Sequence, residues 1–202
     1  MNTPKILSTT VFVFGLLIFL PAISFGQALE PSYEVSMQLL IGSNQSGNDQ
    51  QIPQNLSAVT RQLKSSFPYS KFRLAGTFLG RVSNNGDFFY KSLSNIFGQA
   101  TDHRYQTFLE WSVRDLKNGS TLKGPRGFQA HAFNFGARVP VITAMPKDPT
   151  GKETVVVNYE QIGINLNRIG LPENVPTLVG TLNLPGAADT LFLVITIRSA
   201  DL

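Results

Sequence analysis

Lys71-Phe-Arg-Leu-Ala-Gly-Thr-Phe-Leu-Gly-Arg-Val-Ser-Asn-Asn-Gly-Asp-Phe-Phe-Tyr90 is the stretch that decides the fold of this 202-residue chain. Phe72, Leu74, Gly76, Phe78, Gly80 and Val82 fall on every second position, while Lys71, Arg73, Thr77 and Arg81 take most of the other phase. Such alternation marks a strand with one buried and one wet face. Asn84-Asn85-Gly86-Asp87 follows, and Asn-Gly beside an apolar run is the strongest short hairpin signal. Phe88-Phe89-Tyr90 then begins a return strand, so a hairpin is expected here.

Upstream, Tyr33 to Ile41 places Val35, Met37 and Leu39 in one phase and reads as a first strand. Gly42 to Gln51 is a polar loop rich in Gly, Ser, Asn and Gln. Pro53 opens a helix, where its missing N–H costs nothing. Leu56, Val59, Leu63 and Phe67 follow at helical spacing, and Pro68 ends the run. The order strand, helix, strand, strand predicts a small α+β unit over residues 29–100.

Downstream, from Thr107, the pattern is all strand. Leu109, Trp111 and Val113 alternate with Glu110, Ser112 and Arg114, and Asn118-Gly119 marks a tight turn. Phe133, Phe135, Ala137, Val139 and Val141 share one phase of a long extended stretch, and Met145 to Gly151 is an exposed turn. In Thr154 to Leu166 the apolar phase slips between Tyr159 and Ile162, which predicts a bulge near Gln161–Gly163. Leu191 to Ile197 is apolar in both phases, as in a central strand covered on both faces. The fold class expected is α+β, mostly β, with a β-rich unit over 101–202 and a boundary near Gly98–Thr107.

The N-terminus carries one cation, Lys5, then the apolar run Val11 to Leu20, then Pro21 and Gly26-Gln27-Ala28. That layout predicts a secretory signal peptide over 1–28; an uncleaved N-terminal anchor is the alternative. The run is short of the roughly 20 residues a helical span needs. The chain has no cysteine. An exported protein without disulfides must hold itself by burial, and a bacterial periplasm or outer membrane is the expected address. The net charge of +4 is concentrated in the middle. Arg61 to Lys147 holds most of the cations, against Asp87, Asp102, Glu110 and Asp115. Arg61, Lys64, Lys71, Arg73 and Arg81 are the candidate partner surface, for acidic headgroups or a negatively charged protein. Solvated strand faces are the plainer reading. Nucleic acid is not an expected partner of an exported chain.

Chemistry is sparse. His103 sits beside Asp102, but neighbours in sequence point apart on a strand. His131 shares the phase of Phe133 and Phe135, which predicts a packed core histidine. Two separated histidines without an acidic cluster do not make a zinc site. The acids are scattered singly, and neither a nucleophile elbow nor a phosphate loop is present. No catalytic residue, no metal site and no cofactor is expected, so the chain reads as non-enzymatic.

Three segments carry a family resemblance. Phe135-Gly-Ala-Arg-Val-Pro-Val-Ile-Thr143 resembles the "G-x-x-x-P-V" strand of the bacterial secretins, the ring-forming outer-membrane gates of type II and type III secretion and of type IV pili. Val155-Val-Val-Asn-Tyr-Glu-Gln-Ile-Gly-Ile-Asn-Leu166 resembles the next secretin strand, and Thr190-Leu-Phe-Leu-Val-Ile-Thr-Ile-Arg198 the closing one. They occur in the family's order. The chain departs from the family at Arg198, where a Pro is usual, and in the short stretch Val175 to Asp189. The resemblance implies a reduced, secretin-like β domain acting in assembly of, or interaction with, a secretion or type IV pilus apparatus. Its partners would be copies of itself or secretion and pilus components, with outer-membrane association. A monomeric periplasmic module binding an apolar ligand within the β unit is the alternative.

Overall fold

A computed structural model describes residues 30–45, 52–94, 96, 105–119, 126–185 and 188–200. The segment expected as a signal peptide, the end of the polar loop, residues 120–125 and the stretch with His103 lie outside the described residues; Asn118-Gly119, expected as a tight turn, is instead strand, paired with Phe128 and Gly127. The strands are β1 (Ser32–Ser43), β2 (Lys71–Ser83), β3 (Gly86–Ser94), β4 (Thr107–Gly119), β5 (Gly127–Ala144), β6 (Val156–Pro172), β7 (Thr177–Asn183) and β8 (Thr190–Ser199). One helix, α1 (Ser57–Ser66), follows a 3-10 turn at Gln54–Leu56. The class is α+β and mostly β, as the patterns predict.

The strands form two antiparallel four-stranded sheets, β2-β1-β8-β7 and β3-β4-β5-β6. Their inner faces meet in one core. Val35, Met37, Leu39 and Ile41 of β1 and Leu191, Leu193, Ile195 and Ile197 of β8 come from the first sheet. Leu109, Trp111 and Val113 of β4 and Phe133, Phe135 and Ala137 of β5 come from the second. This is the burial that a cysteine-free chain relies on.

A second cluster lies on the other side of the first sheet. There α1 lays Leu56, Val59 and Leu63 over Leu40, Phe72, Phe192 and Val194. Phe192 sits at the centre of an aromatic cage, 4.9 Å from Phe67, 5.7 Å from Phe72 and 6.1 Å from Tyr69 between ring centroids. The helix therefore explains why β8 is apolar in both phases: one phase meets the opposite sheet and the other meets α1. The aromatic run Phe67-Pro-Tyr69 belongs to this packing and not to a surface patch.

The deciding stretch folds as two strands, but not as a hairpin within one sheet. Asn84 and Asn85 make the tight turn, with Asn85 at φ 57°, a left-handed conformation that Asn tolerates. Yet β2 pairs with β1, and β3 pairs with β4. The turn carries the chain from one sheet to the other. Its amides are satisfied elsewhere, Asn84 N–H by Pro31 and Asn85 N–H by Leu116. The alternation of β2 also serves two faces. A bulge sets Leu39 opposite Gly76 and Leu40 opposite Leu74, with Ala75 as the extra residue. Phe72 and Leu74 consequently join the helix-side cluster, while Ala75, Phe78 and Val82 join the core between the sheets.

The strands of 29–100 and of 101–202 interleave in both sheets. β1 lies between β2 and β8, and β3 edges the sheet of β4, β5 and β6. The slip in β6 has another cause than the expected bulge. Pairing runs unbroken through Arg138↔Gln161, Ala137↔Ile162 and Gly136↔Gly163, and the irregularity falls at Ile142/Ala144. Val157 and Tyr159 lie on the outward phase because β5 and β6 run on beyond the sandwich, where the inner face has less core to fill. His131 is exposed and not a core residue. The facing phase changes at this level of the sheet, where Asp115 (φ 47°) and Arg168 (φ 55°) adopt left-handed backbone, so Ala130 and Phe133 point inward and His131 does not.

Candidate functional site

Among the described residues four sheet edges are open, two on each side of the sandwich. Strands β2 and β3 lie at one side of the sandwich, joined by the Asn84–Asn85 turn. Strands β6 and β7 lie at the other. The stacking is close on both sides: a Cβ on Gly80 would stand 2.8 Å from Cδ2 of Phe88, and one on Gly180 would stand 2.6 Å from Cδ1 of Ile164. Each sheet has four strands in strict antiparallel alternation, so its first and last strands run in opposite directions. A second copy set alongside could therefore continue both sheets at once, β6 against β3 and β7 against β2, with antiparallel ladders throughout.

The sequence-derived basic residues fall around the β2 edge. Lys71, Arg73 and Arg81 stand on β2 itself, and Arg61 and Lys64 are on the exposed face of α1. Arg61, Lys64 and Lys71 share the rim of one open groove of about 630 Å³, floored by Ile52 and Phe72. Arg81 is far along the strand, paired in register with Glu34, whose carboxylate accepts from Arg198 Nη2 at 2.8 and 2.9 Å. The five residues thus divide between a groove and a strand edge and do not make a single patch.

The opposite edge is mixed in charge, since β6 exposes both Glu160 and Arg168 and β7 carries no charged residue. Glu160 is exposed on β6, and Glu173 follows it in the connection to β7. The Ser199 hydroxyl donates to Glu173 Oε1 at 2.6 Å and the Ser199 amide at 3.3 Å. These bonds, with Arg126 nearby, hold the Glu173 carboxyl below its ordinary value. Glu160 is thus the acidic point on this side that the basic residues of β2 could meet in a head-to-tail contact.

The β5–β6 hairpin overhangs the sandwich. Ile142, Met145, Val156 and Tyr159 on this arm are exposed by 40% or more. Its tip is closed by Asp148, whose side chain accepts from Thr150 Oγ1 at 2.6 Å and from the Thr150 and Lys152 amides at 2.8 and 2.9 Å. The hydroxyl bond leads in lowering the Asp148 pKa.

Sequence reasoning missed the exposed aromatics on the outer face of the β3–β6 sheet, Phe89, Phe108 and Tyr159. A signal was available. In Phe88-Phe89 and Phe108-Leu109 adjacent apolar residues on a strand must point to opposite faces, so one of each pair faces out. Among the described residues no group of three His, Asp or Glu side chains is placed to hold a metal ion.

No family model matches this chain, and no curated protein is significantly similar. Two solved structures are similar in chain path. One is the InvG secretin domain β-barrel from the Salmonella SPI-1 injectisome NC-base, at 12% identity and a TM-score of 0.34, covering 86% of this chain and 64% of that one. The other is the Salmonella SPI-1 type III secretion injectisome secretin InvG (residues 176 to the end) in the open gate state, at 11% identity and a TM-score of 0.31, covering 96% of this chain and 67% of that one.

Proposed function

We propose that this protein is a non-enzymatic, exported envelope protein, a secretin-like β domain that works by assembling through its sheet edges. Its partners are copies of itself or components of a secretion or type IV pilus apparatus, in the periplasm or at the outer membrane. The observation that carries the reading is the set of open edges on the two sides of the sandwich, antiparallel-compatible in both sheets. Edge strands present rows of unpaired N–H and C=O groups, and β-strand addition uses them directly. A contact between unlike edges is heterologous, so it closes into a ring or continues as a filament. The three secretin-like segments fall on β5, β6 and β8, so one of them lies on an edge strand. An apolar ligand inside the β unit would have to displace Trp111, Phe133 and Phe135, all at 2% exposure or less.

Light scattering on the purified full-length protein, with and without detergent, tests the reading. A large species with a repeating subunit in negative-stain images supports it. A protein that stays strictly monomeric and soluble at micromolar concentration overturns it.

A further inference from the structure

We propose that the outer face of the β3–β4–β5–β6 sheet is a saccharide-binding trough. The inference goes beyond edge assembly, because edge pairing consumes backbone groups at the sides of the sheet and leaves this face open.

Two adjoining depressions of about 500 and 340 Å³ run over the face and share Lys91, Glu110, Gly136 and Gln161. Gly136 and Gly163, paired across β5 and β6, form the floor. Gly163 has a structural reason to be glycine, since a Cβ there would lie 2.7 Å from the Phe135 carbonyl oxygen. Gly136 has none. A Cβ at Gly136 would meet Glu110 Cγ at 3.5 Å, an ordinary contact. Glycine in the middle of a central strand weakens it, and one that packing does not require marks a place where something else approaches the backbone.

Two exposed rings, Phe89 and Phe108, line the depressions, and Tyr159 stands next to Phe108 outside them. Phe89 is 64% exposed, Phe108 50% and Tyr159 44%. Phe108 and Tyr159 stand edge to face with centroids 5.8 Å apart. Around them are amides and hydroxyls. Asn134 Nδ2 donates to Ser112 Oγ at 3.2 Å, and Gln161 and Asn165 line the same depression. Lys91 and Glu110 pair at 3.2 Å and neutralise one another, which leaves the exposed Arg138 as the net charge of the lining, beside its donors and acceptors.

Exposed rings beside neutral hydrogen-bonding groups match a sugar chain, whose C–H faces stack on aromatics while its hydroxyls bond amides and carboxylates. An acidic peptide would call for more cations than Arg138 alone, and an apolar ligand would leave these amides unsatisfied.

Calorimetry of the full-length protein with cellotetraose and with tetra-N-acetyl-chitotetraose tests the proposal. At least one of them binds the native protein. Phe108→Ala weakens that binding about tenfold, equivalent to ~1.4 kcal/mol. Gly136→Val fills the floor with a residue that favours strands, so its melting temperature is equal or higher while binding is lost. Gly136→Ala, a smaller addition, keeps the fold and weakens binding. Absence of heat with both saccharides, or unchanged affinity in a folded Gly136→Val or Phe108→Ala protein, overturns the proposal. So does tighter binding of an acidic or an apolar peptide than of either saccharide.

Discussion

Gly80→Ala is the sharpest test of how the two sheets close on each other. In the structure Gly80 of β2 faces Phe88 of β3 across the sandwich edge. A Cβ at Gly80 would overlap the Cε2 and Cζ atoms of that ring and come within 2.8 Å of Cδ2. Phe88 has little room to retreat, because its ring stacks on Trp111 at 4.7 Å and Trp111 is itself buried. Overpacking of this kind costs about 1–3 kcal/mol. For a chain of this size each kcal/mol lowers Tm by about 2–4 °C, so a loss of roughly 2–12 °C is expected. Phe88→Leu removes the offending ring edge, so Gly80→Ala in that background costs less than it does alone. The double-mutant cycle then shows a coupling of about 1 kcal/mol or more. Differential scanning calorimetry on the four proteins measures it. If β2 and β3 were hairpin partners in one sheet, a two-residue turn would set Gly80 opposite Phe89. Alanine would then raise stability by about 0.5–1 kcal/mol through lost chain entropy. An unchanged or raised Tm, or zero coupling to Phe88, refutes the arrangement.

Phe192→Ala empties the centre of the aromatic cage under α1 and should cost about 3–5 kcal/mol, seen in chemical denaturation as a lower midpoint with the slope retained. Glu160→Lys reverses the one acidic charge on the β6 edge strand. It should slow assembly and shift the light-scattering mass downward, and assembly of the native protein should weaken as salt shortens the screening length to about 8–10 Å; assembly indifferent to both refutes charge-guided edge pairing. The Glu173 and Asp148 carboxyls sit below their ordinary values. Their stabilisation is therefore present above the unfolded carboxylate range and is lost as pH falls through their folded values. Ser199→Ala removes the leading cause at Glu173, so thermal stability measured from pH 6 down to pH 3 should fall less steeply in that variant than in the native protein.

Elements with a single dominant contact were legible from the sequence. The helix stripe Leu56, Val59, Leu63 met one surface, and β8 declared its two covered faces by being apolar in both phases. Legibility failed where two surfaces shared one pattern. The even-numbered residues of β2 look like one stripe, but the Ala75 bulge hands them to different clusters. The Asn84–Asn85 turn was recognised, while its consequence was not, because turn chemistry fixes a reversal and not the sheet each arm joins. That choice is made by β1, which pairs with both β2 and β8 and takes the hairpin partner's place. His131 was misread because a period counted back from Phe133 assumes an unbroken phase, and left-handed backbone at Asp115 and Arg168 on the flanking strands marks where it breaks. Of the site, the basic residues were visible as charges. Their division between groove and edge needed the topology, as did the trough, whose floor is two glycines that carry no pattern.

The pairing of β1 with β8 has a kinetic consequence. Glu34 meets Arg198 across 164 residues of chain, and the two strands between β2 and β7 in the first sheet, β1 and β8, are the first and last of the fold. Until the last strand is available, β1 lacks one neighbour and the helix-side cluster lacks Phe192 and Val194. Contacts this distant in sequence form slowly, since loop closure must come before they stabilise anything. A chain threaded N-terminus first through a narrow passage could pair β3 to β6 in order as they emerged, but would complete the first sheet and its share of the core only after β8 emerged.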